Sequence, residues 1–171
     1  HPLGETTAMT EPQANLGPYV LETQAGNVQW LTLNRPKARN PLSSHMIAAL
    51  KAAIEAANNN PEVRAIVIAS SGPVFSAGHD LKEMGYRKGE SSADHRARVE
   101  QILVDCSQLM LSIVHCPKAV IASVHATATA AGCQLVSACD LAVASDAANF
   151  CTPGVNIGGF CTTPLVGVGR N

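Results

Sequence analysis

The spacing of apolar positions changes several times along this chain, and each change predicts an element. Tyr19–Thr23 and Val28–Leu33 read as two strands around the turn Ala25-Gly26-Asn27, a hairpin. Met46, Ile47, Leu50, Ala53, Ile54 and Ala57 then recur at helical spacing behind Ser43, a candidate N-cap, and Asn58-Asn59-Asn60-Pro61 stops the run. Arg64–Ser70 is short, apolar and rich in β-branched residues, as a buried strand should be. A second helical stripe runs through Val99, Ile102, Leu103, Cys106, Leu109, Met110 and Ile113 and ends before Pro117. Ala119–Val124 is another buried strand. It delivers the chain to His125–Asp140, where small residues pass through Ala131-Gly132 into a short helix, Cys133–Ala138. Leu141–Ala144 predicts a further strand and Asn149–Cys151 a short one. From Thr152 onward the chain is rich in Gly and Pro, which predicts no long element and no closing helix. The order predicts stacked β-β-α units rather than strict alternation.

The remaining stretches predict loops. HPLGETTA ahead of Met9-Thr10-Glu11 reads as residual cloning sequence before a native start. Residues 1–18 together are expected to be that remnant and a mobile arm, with one core domain over 19–171. Asn34–Pro41 holds two prolines and three cations with no acid, so it is either a solvated basic loop or a clamp for a phosphorylated ligand. Ser71–Lys82 leads from a buried strand through glycine to polar residues, a common position for an active-site loop. Gly85–Ala93 is polar and expected to be mobile.

Composition narrows the function. At 171 residues, 46% hydrophobic and 15% charged, the chain can build one real core. A net charge of −1 with no basic run argues against nucleic acid and anionic membrane as partners. No apolar run reaches membrane-spanning length, and no signal peptide opens the chain. The six cysteines have no Cys-x-x-Cys pairing, and neither they nor the histidines show metal-ligand spacing. Buried free thiols in a reducing compartment are expected, hence a cytoplasmic protein with no metal.

The candidate chemistry lies at Ala131-Gly132. A helix starting there leaves its first N–H groups unpaired, with the positive end of its dipole behind them. That suits an anion or an oxygen gaining charge; equally, small residues there suit a tightly packed helix.

Four stretches carry a resemblance. Asn34–Ser43 (NRPKARNPLS), Val74–Met84 (VFSAGHDLKEM), Pro117–Asp146 and Phe150–Gly158 (FCTPGVNIG) resemble, in order and spacing, the enoyl-CoA hydratase/isomerase (crotonase) superfamily. Within it they are most similar to a divergent hydratase-domain-containing branch. The resemblance implies an α/β fold, a right-handed spiral of β-β-α units, forming homotrimers or dimers of trimers. The family's C-terminal helical part is expected to be missing from this chain. The implied ligand is an acyl-CoA thioester, so coenzyme A is part of the substrate and no separate cofactor is expected. The N–H groups of His79 and Ala131 are implied to hold the thioester oxygen as an enolate forms, each such donor being worth about 2.7–4 kcal/mol. Lys37, Ala38, Arg39 and Pro41 are implied to line the nucleotide and pantetheine end. Ala77, Gly78, Asp80, Leu81, Gly132 and Pro153 continue the lining, and Lys37, Arg39 and Lys82 are natural phosphate partners.

Two positions depart from the family. Its hydratases use two glutamates to place and activate water; this chain has Gln134 and Gly154 there. Gln134 can hydrogen-bond a water but cannot take its proton, and Gly154 has no side chain. Asp80, His79 and Asp146 are the substitutes the sequence offers as proton carriers. An enoyl-CoA hydratase of fatty acid metabolism is the leading expectation. A double-bond isomerase, a thioester hydrolase and a non-catalytic acyl-CoA-binding or assembly subunit are the alternatives.

Overall fold

The computed structural model describes residues 17–158 and 161–170. The remnant and arm expected over residues 1–18 therefore fall, apart from Gly17 and Pro18, outside the described residues. Four β-β-α units follow one another. β1 (Val20–Ala25), β2 (Val28–Leu33) and α1 (Ser44–Asn59) form the first. β3 (Ala65–Ser70), β4 (Val74–Ser76), the single turn α2 (Leu81–Met84) and α3 (Ser92–Val114) form the second. β5 (Ala119–Val124), β6 (Thr127–Thr129) and α4 (Ala131–Ala138) form the third; β7 (Leu141–Ala144), β8 (Phe150–Cys151) and α5 (Thr162–Val168) form the fourth.

After the hairpin, each unit gives its first strand to one sheet and its second to another. The larger sheet has the order β1-β2-β3-β5-β7, parallel except for the β1–β2 hairpin. The smaller one is β4-β6-β8, all parallel. The core lies where α1 and α3 cover the larger sheet: Leu31, Ile66, Ile68 and Val120 join Met46, Leu50, Leu109 and Ile113 in one buried cluster. Each such side chain, fully buried, is worth about 1.5–3 kcal/mol. Ser43 caps α1 as expected, accepting from Met46 N–H.

Several expectations need correction. α3 begins at Ser92, inside the predicted mobile loop, because Ser91 caps it by accepting from Asp94 N–H. Its first turns are exposed, so no apolar stripe announces them. Leu103 in the predicted stripe is 47% exposed. α4 starts at Ala131, earlier than Cys133. α5 stands where no helix was expected; Pro164 is tolerated in its first turn, where an N–H lacks a helical partner anyway. Among the cysteines only Cys106 and Cys133 are buried, and Cys151 is exposed. Every residue of β7 is exposed.

Candidate functional site

The small sheet sets the site. β4 and β6 run parallel, with Val74 opposite Thr127 and Ser76 opposite Ala128, and β6 pairs with β8 through Thr129 and Cys151. Three neighbouring strands therefore release their chains on one side, into Ala77-Gly78-His79, Ala130-Ala131 and Thr152-Pro153-Gly154. Ligands of parallel sheets bind beyond strand carboxyl ends of this kind.

The first turn is fixed by hydrogen bonds. Ala77 N–H donates to Arg39 C=O at 2.9 Å, Leu42 N–H to Gly78 C=O at 2.7 Å, and Gly78 N–H to Ser76 Oγ at 3.3 Å. Leu42 and His79 form an isolated parallel bridge. Asn40, fully buried, ties the basic loop beneath to the same segment. Its Nδ2 donates to Ser71 C=O at 2.8 Å and Val74 C=O at 3.0 Å, and its Oδ1 accepts from Arg35 N–H at 2.7 Å. The sequence does not single out Asn40, because a polar residue between two prolines gives no sign of burial.

The second turn is fixed by close approach. Ala130 has φ of 51° and ψ of −122°, unusual for a residue with a side chain, and it ends β6 abruptly enough to start α4 at Ala131. Gly132 lies against β4, where a Cβ would come within 2.6 Å of Ser76 O and 2.7 Å of Ser76 Cβ. Gly78, with φ of 85°, lies against Ala131, where a Cβ would stand 3.2 Å from Ala131 N and 3.0 Å from Thr129 O. Both positions therefore require glycine. Among the described residues nothing accepts from the N–H of His79 or of Ala131.

A cavity of about 380 Å³ opens beside these turns, lined by His79, Ala131, Gln134, Met84, Cys106 and Thr163 among others. Gln134 Oε1 accepts from Thr163 Oγ1 at 3.1 Å, so α5 holds this side chain. Burial pushes the His79 pKa below its ordinary value, outweighing the Leu42 backbone, which acts the other way. The imidazole is thus neutral near pH 7, and its Nδ1 is buried without a hydrogen-bond partner. A larger cavity of about 480 Å³ lies between α4 and β7, lined by Cys133, Val136 and Leu141. It meets neither turn, so size alone does not mark the site.

The structure brings His79, Ala131 and Gln134 to one cavity, while Ala77, Gly78 and Gly132 stand behind as its scaffold. Pro153 and Gly154 follow β8 in a 3-10 turn and do not line the cavity. Asp80 caps α2, its Oδ1 accepting from Lys82 N–H at 2.9 Å. Leu81 and Lys82 are exposed beyond it, and Asp146 lies in an exposed turn. Lys37, Ala38 and Arg39 are exposed at the end of the basic loop and Pro41 is half-buried. Arg35, the third cation there, instead lies 3.6 Å over the Tyr19 ring and donates to Gly17, Pro18 and Asn34 carbonyls.

The family model described as enoyl-CoA hydratase/isomerase matches residues 23–168. The chain is 47% identical over 150 residues to the enoyl-CoA hydratase domain-containing protein 3, mitochondrial, of Danio rerio, covering 88% of this chain and 50% of that protein. The crystal structure of an enoyl-CoA hydratase/isomerase family protein from Silicibacter pomeroyi is 50% identical, with a TM-score of 0.80, over 88% of this chain and 62% of that one. The structure of human enoyl-CoA hydratase domain-containing protein 3 is 44% identical, with a TM-score of 0.79, over 89% and 58%. The chain spans about half the length of the curated relatives it matches. The mitochondrial name of those relatives does not fit the plain cytoplasmic expectation. Among the described residues no helix is long and apolar enough to cross a membrane.

Proposed function

This chain belongs to the enoyl-CoA hydratase/isomerase family, and on that premise we propose that it processes an acyl-CoA thioester by stabilising its enolate oxygen with the N–H groups of His79 and Ala131. The observation carrying this reading is the pair of turns at the ends of β4 and β6, each presenting an N–H without an acceptor among the described residues. Donors set in place beforehand pay no reorganisation when charge develops, which is why they lower the barrier. Lys37 and Arg39, exposed at the end of the loop braced by Asn40, would meet the phosphates; Lys82, exposed on α2, is a third candidate. Coenzyme A enters as part of the substrate, and the enolate step asks for no metal or further cofactor. The working assembly is a trimer or a pair of trimers.

Hydration of a trans-2-enoyl-CoA is the leading reaction: water oxygen bonds to C3 and a proton is delivered to C2. Gln134 cannot carry that proton and Gly154 carries none. Asp80 is engaged as a helix cap. The titratable imidazole at the cavity is His79, neutral near pH 7 and able to accept a proton. Isomerisation uses the same enolate and the same carrier; thioester hydrolysis would call for water at the carbonyl carbon instead. The free thiols suit a reducing compartment, and the relatives' names favour the mitochondrion over the cytosol for it.

The second reading is an acyl-CoA-binding or assembly subunit without turnover. Gln134 favours it, being held by Thr163 in place of a carboxylate. The test is loss of the conjugated thioester absorbance of short- and medium-chain trans-2-enoyl-CoA, with Ala131→Pro in parallel to remove one N–H. Turnover abolished by the proline supports the enolate mechanism. Saturable binding without turnover sinks it in favour of the binder. Activity that appears only with Gln134→Glu and Gly154→Glu together points the same way.

A further inference from the structure

Asn40 makes three side-chain hydrogen bonds, although it carries no charge and does not line the cavity. It is fully buried, with φ of 47°, next to Arg39 with φ of 66°. Two consecutive left-handed residues with side chains are strained, and such strain persists only where surroundings enforce it. Here the surroundings are the segment that carries the first N–H turn. The Asn40 amide donates to Ser71 and Val74 carbonyls at either end of the loop entering β4. The Asn40 carbonyl accepts from Ser76 Oγ at 2.8 Å, and that same Oγ accepts from Gly78 N–H. One residue earlier, Arg39 C=O accepts from Ala77 N–H. Alongside, Pro36 presses on Gly72 so closely that a Cβ there would lie 2.4 Å from Pro36 Cβ.

From this we infer that Asn40 is a positioning residue: it couples the loop bearing Lys37 and Arg39 to the Ala77-Gly78-His79 turn and thereby sets the aim of the His79 N–H. The inference rests on the proposed enolate-stabilising site. Its physical sense is that binding at the far, phosphorylated end of a substrate is useful to the reaction only when a stiff link carries it to the reacting carbonyl. Four hydrogen bonds of 2.7 to 3.0 Å converging on the buried Asn40, one of them buried and three half-buried, make such a link; an exposed loop does not.

The probe is cinnamoyl-CoA, whose absorbance moves to longer wavelength when hydrogen bonds polarise its carbonyl. The 171-residue chain is titrated with it alongside Asn40→Gly, which keeps the left-handed backbone and removes the amide. The expected result is a dissociation constant within about tenfold of the unsubstituted chain, with most of the spectral shift lost. Ser76→Ala, which deletes one hydroxyl and disturbs folding less, is expected to act in the same direction and decides the matter if Asn40→Gly does not fold. Full shift retained in the folded variants overturns the inference and leaves the proposed function standing. Affinity and shift lost together in the folded variants also overturn it, since Asn40 would then serve the fold at large. No shift with the unsubstituted chain overturns the proposed oxyanion site and this inference with it.

Discussion

The turns Ala77-Gly78-His79 and Thr129-Ala130-Ala131 lie side by side, yet they are held in different ways. The first hangs from hydrogen bonds to Arg39, Leu42, Ser76 and, through them, Asn40. The second has one cross-strand bond, Ala130 N–H to Cys151 C=O at 2.9 Å, and otherwise depends on how tightly Gly132 and Gly78 let neighbours approach. Each hydrogen bond contributes about 0.5–1.5 kcal/mol net, so the first support weakens in steps. Contact support has no steps. A Cβ at 2.6 Å from a backbone oxygen must displace one backbone or the other, and both N–H groups move with it.

Gly132→Ala is therefore the sharpest way to break the pairing. We expect a fall of about 10²–10³ in turnover, the usual loss for a displaced oxyanion donor. Thermal unfolding should show about 1–3 kcal/mol of overpacking. Near-normal activity in that variant would show that the second turn is not held by contact. His79→Ala separates the two uses of the first turn, since it keeps the N–H and removes the ring. If the imidazole carries the proton, turnover drops on the order of 10²-fold or more while thioester affinity is kept. The pH profile sharpens this. Burial lowers the His79 pKa, so the neutral, proton-accepting form persists below pH 6.5, and the rate should fall only at still lower pH. That acid limb should vanish in His79→Ala.

Smaller effects test the supports themselves. Glu83 on α2 accepts from Ser44 N–H at 2.8 Å and Ser44 Oγ at 2.9 Å, so α2 helps cap α1. Glu83→Ala should lower stability by about 1 kcal/mol, read as a drop of a few degrees in Tm. Ala130→Gly should relieve the strained φ at the second turn. Relief of about 1–3 kcal/mol, less about 0.5–1 for the freer unfolded chain, leaves a slight gain in Tm. A loss instead would mean that the Ala130 methyl is itself part of the packing. The smallest effect concerns the α2–α3 connection. There Glu90 pairs with Arg98 at 2.7 Å, and that guanidinium pulls the Glu90 pKa from 4.5 down to about 2. A depressed carboxylate pKa stabilises above the ordinary value and loses its effect as pH falls towards the lowered one. Amide protection in this connection, measured relative to the intrinsic exchange rate at each pH, should thus hold at pH 5 and fall only as the pH nears 2.

How much of this the sequence carried depends on element length. α1, the hairpin, β3 and β5 repeat their pattern long enough to be read, and they are where the reading places them. β4 and β6 have three residues each, too few to display a period, so the two strands that end in the N–H turns read only as loop and small residues, while β8 beside them is expected as a short strand. The glycines were legible because the family motif marks them. Asn40 was not, because its partners Ser71 and Val74 are more than a helix away in the chain. The sequence singles out Gln134 and Gly154; that α5 secures Gln134 while Gly154 stays off the cavity needed the third dimension.

Parallel pairing between alternate strands also governs how such a molecule comes into being. The β1–β2 hairpin closes locally, but Ala65 must find Ala119 and Val74 must find Thr127 across the whole of α3. Long chain closures of that kind come slowly, since their entropy is lost before any contact repays it. The two N–H turns exist only once β4 has met β6. No partly assembled intermediate can show the pocket, so recovery of thioester binding during refolding should trail recovery of helical circular dichroism.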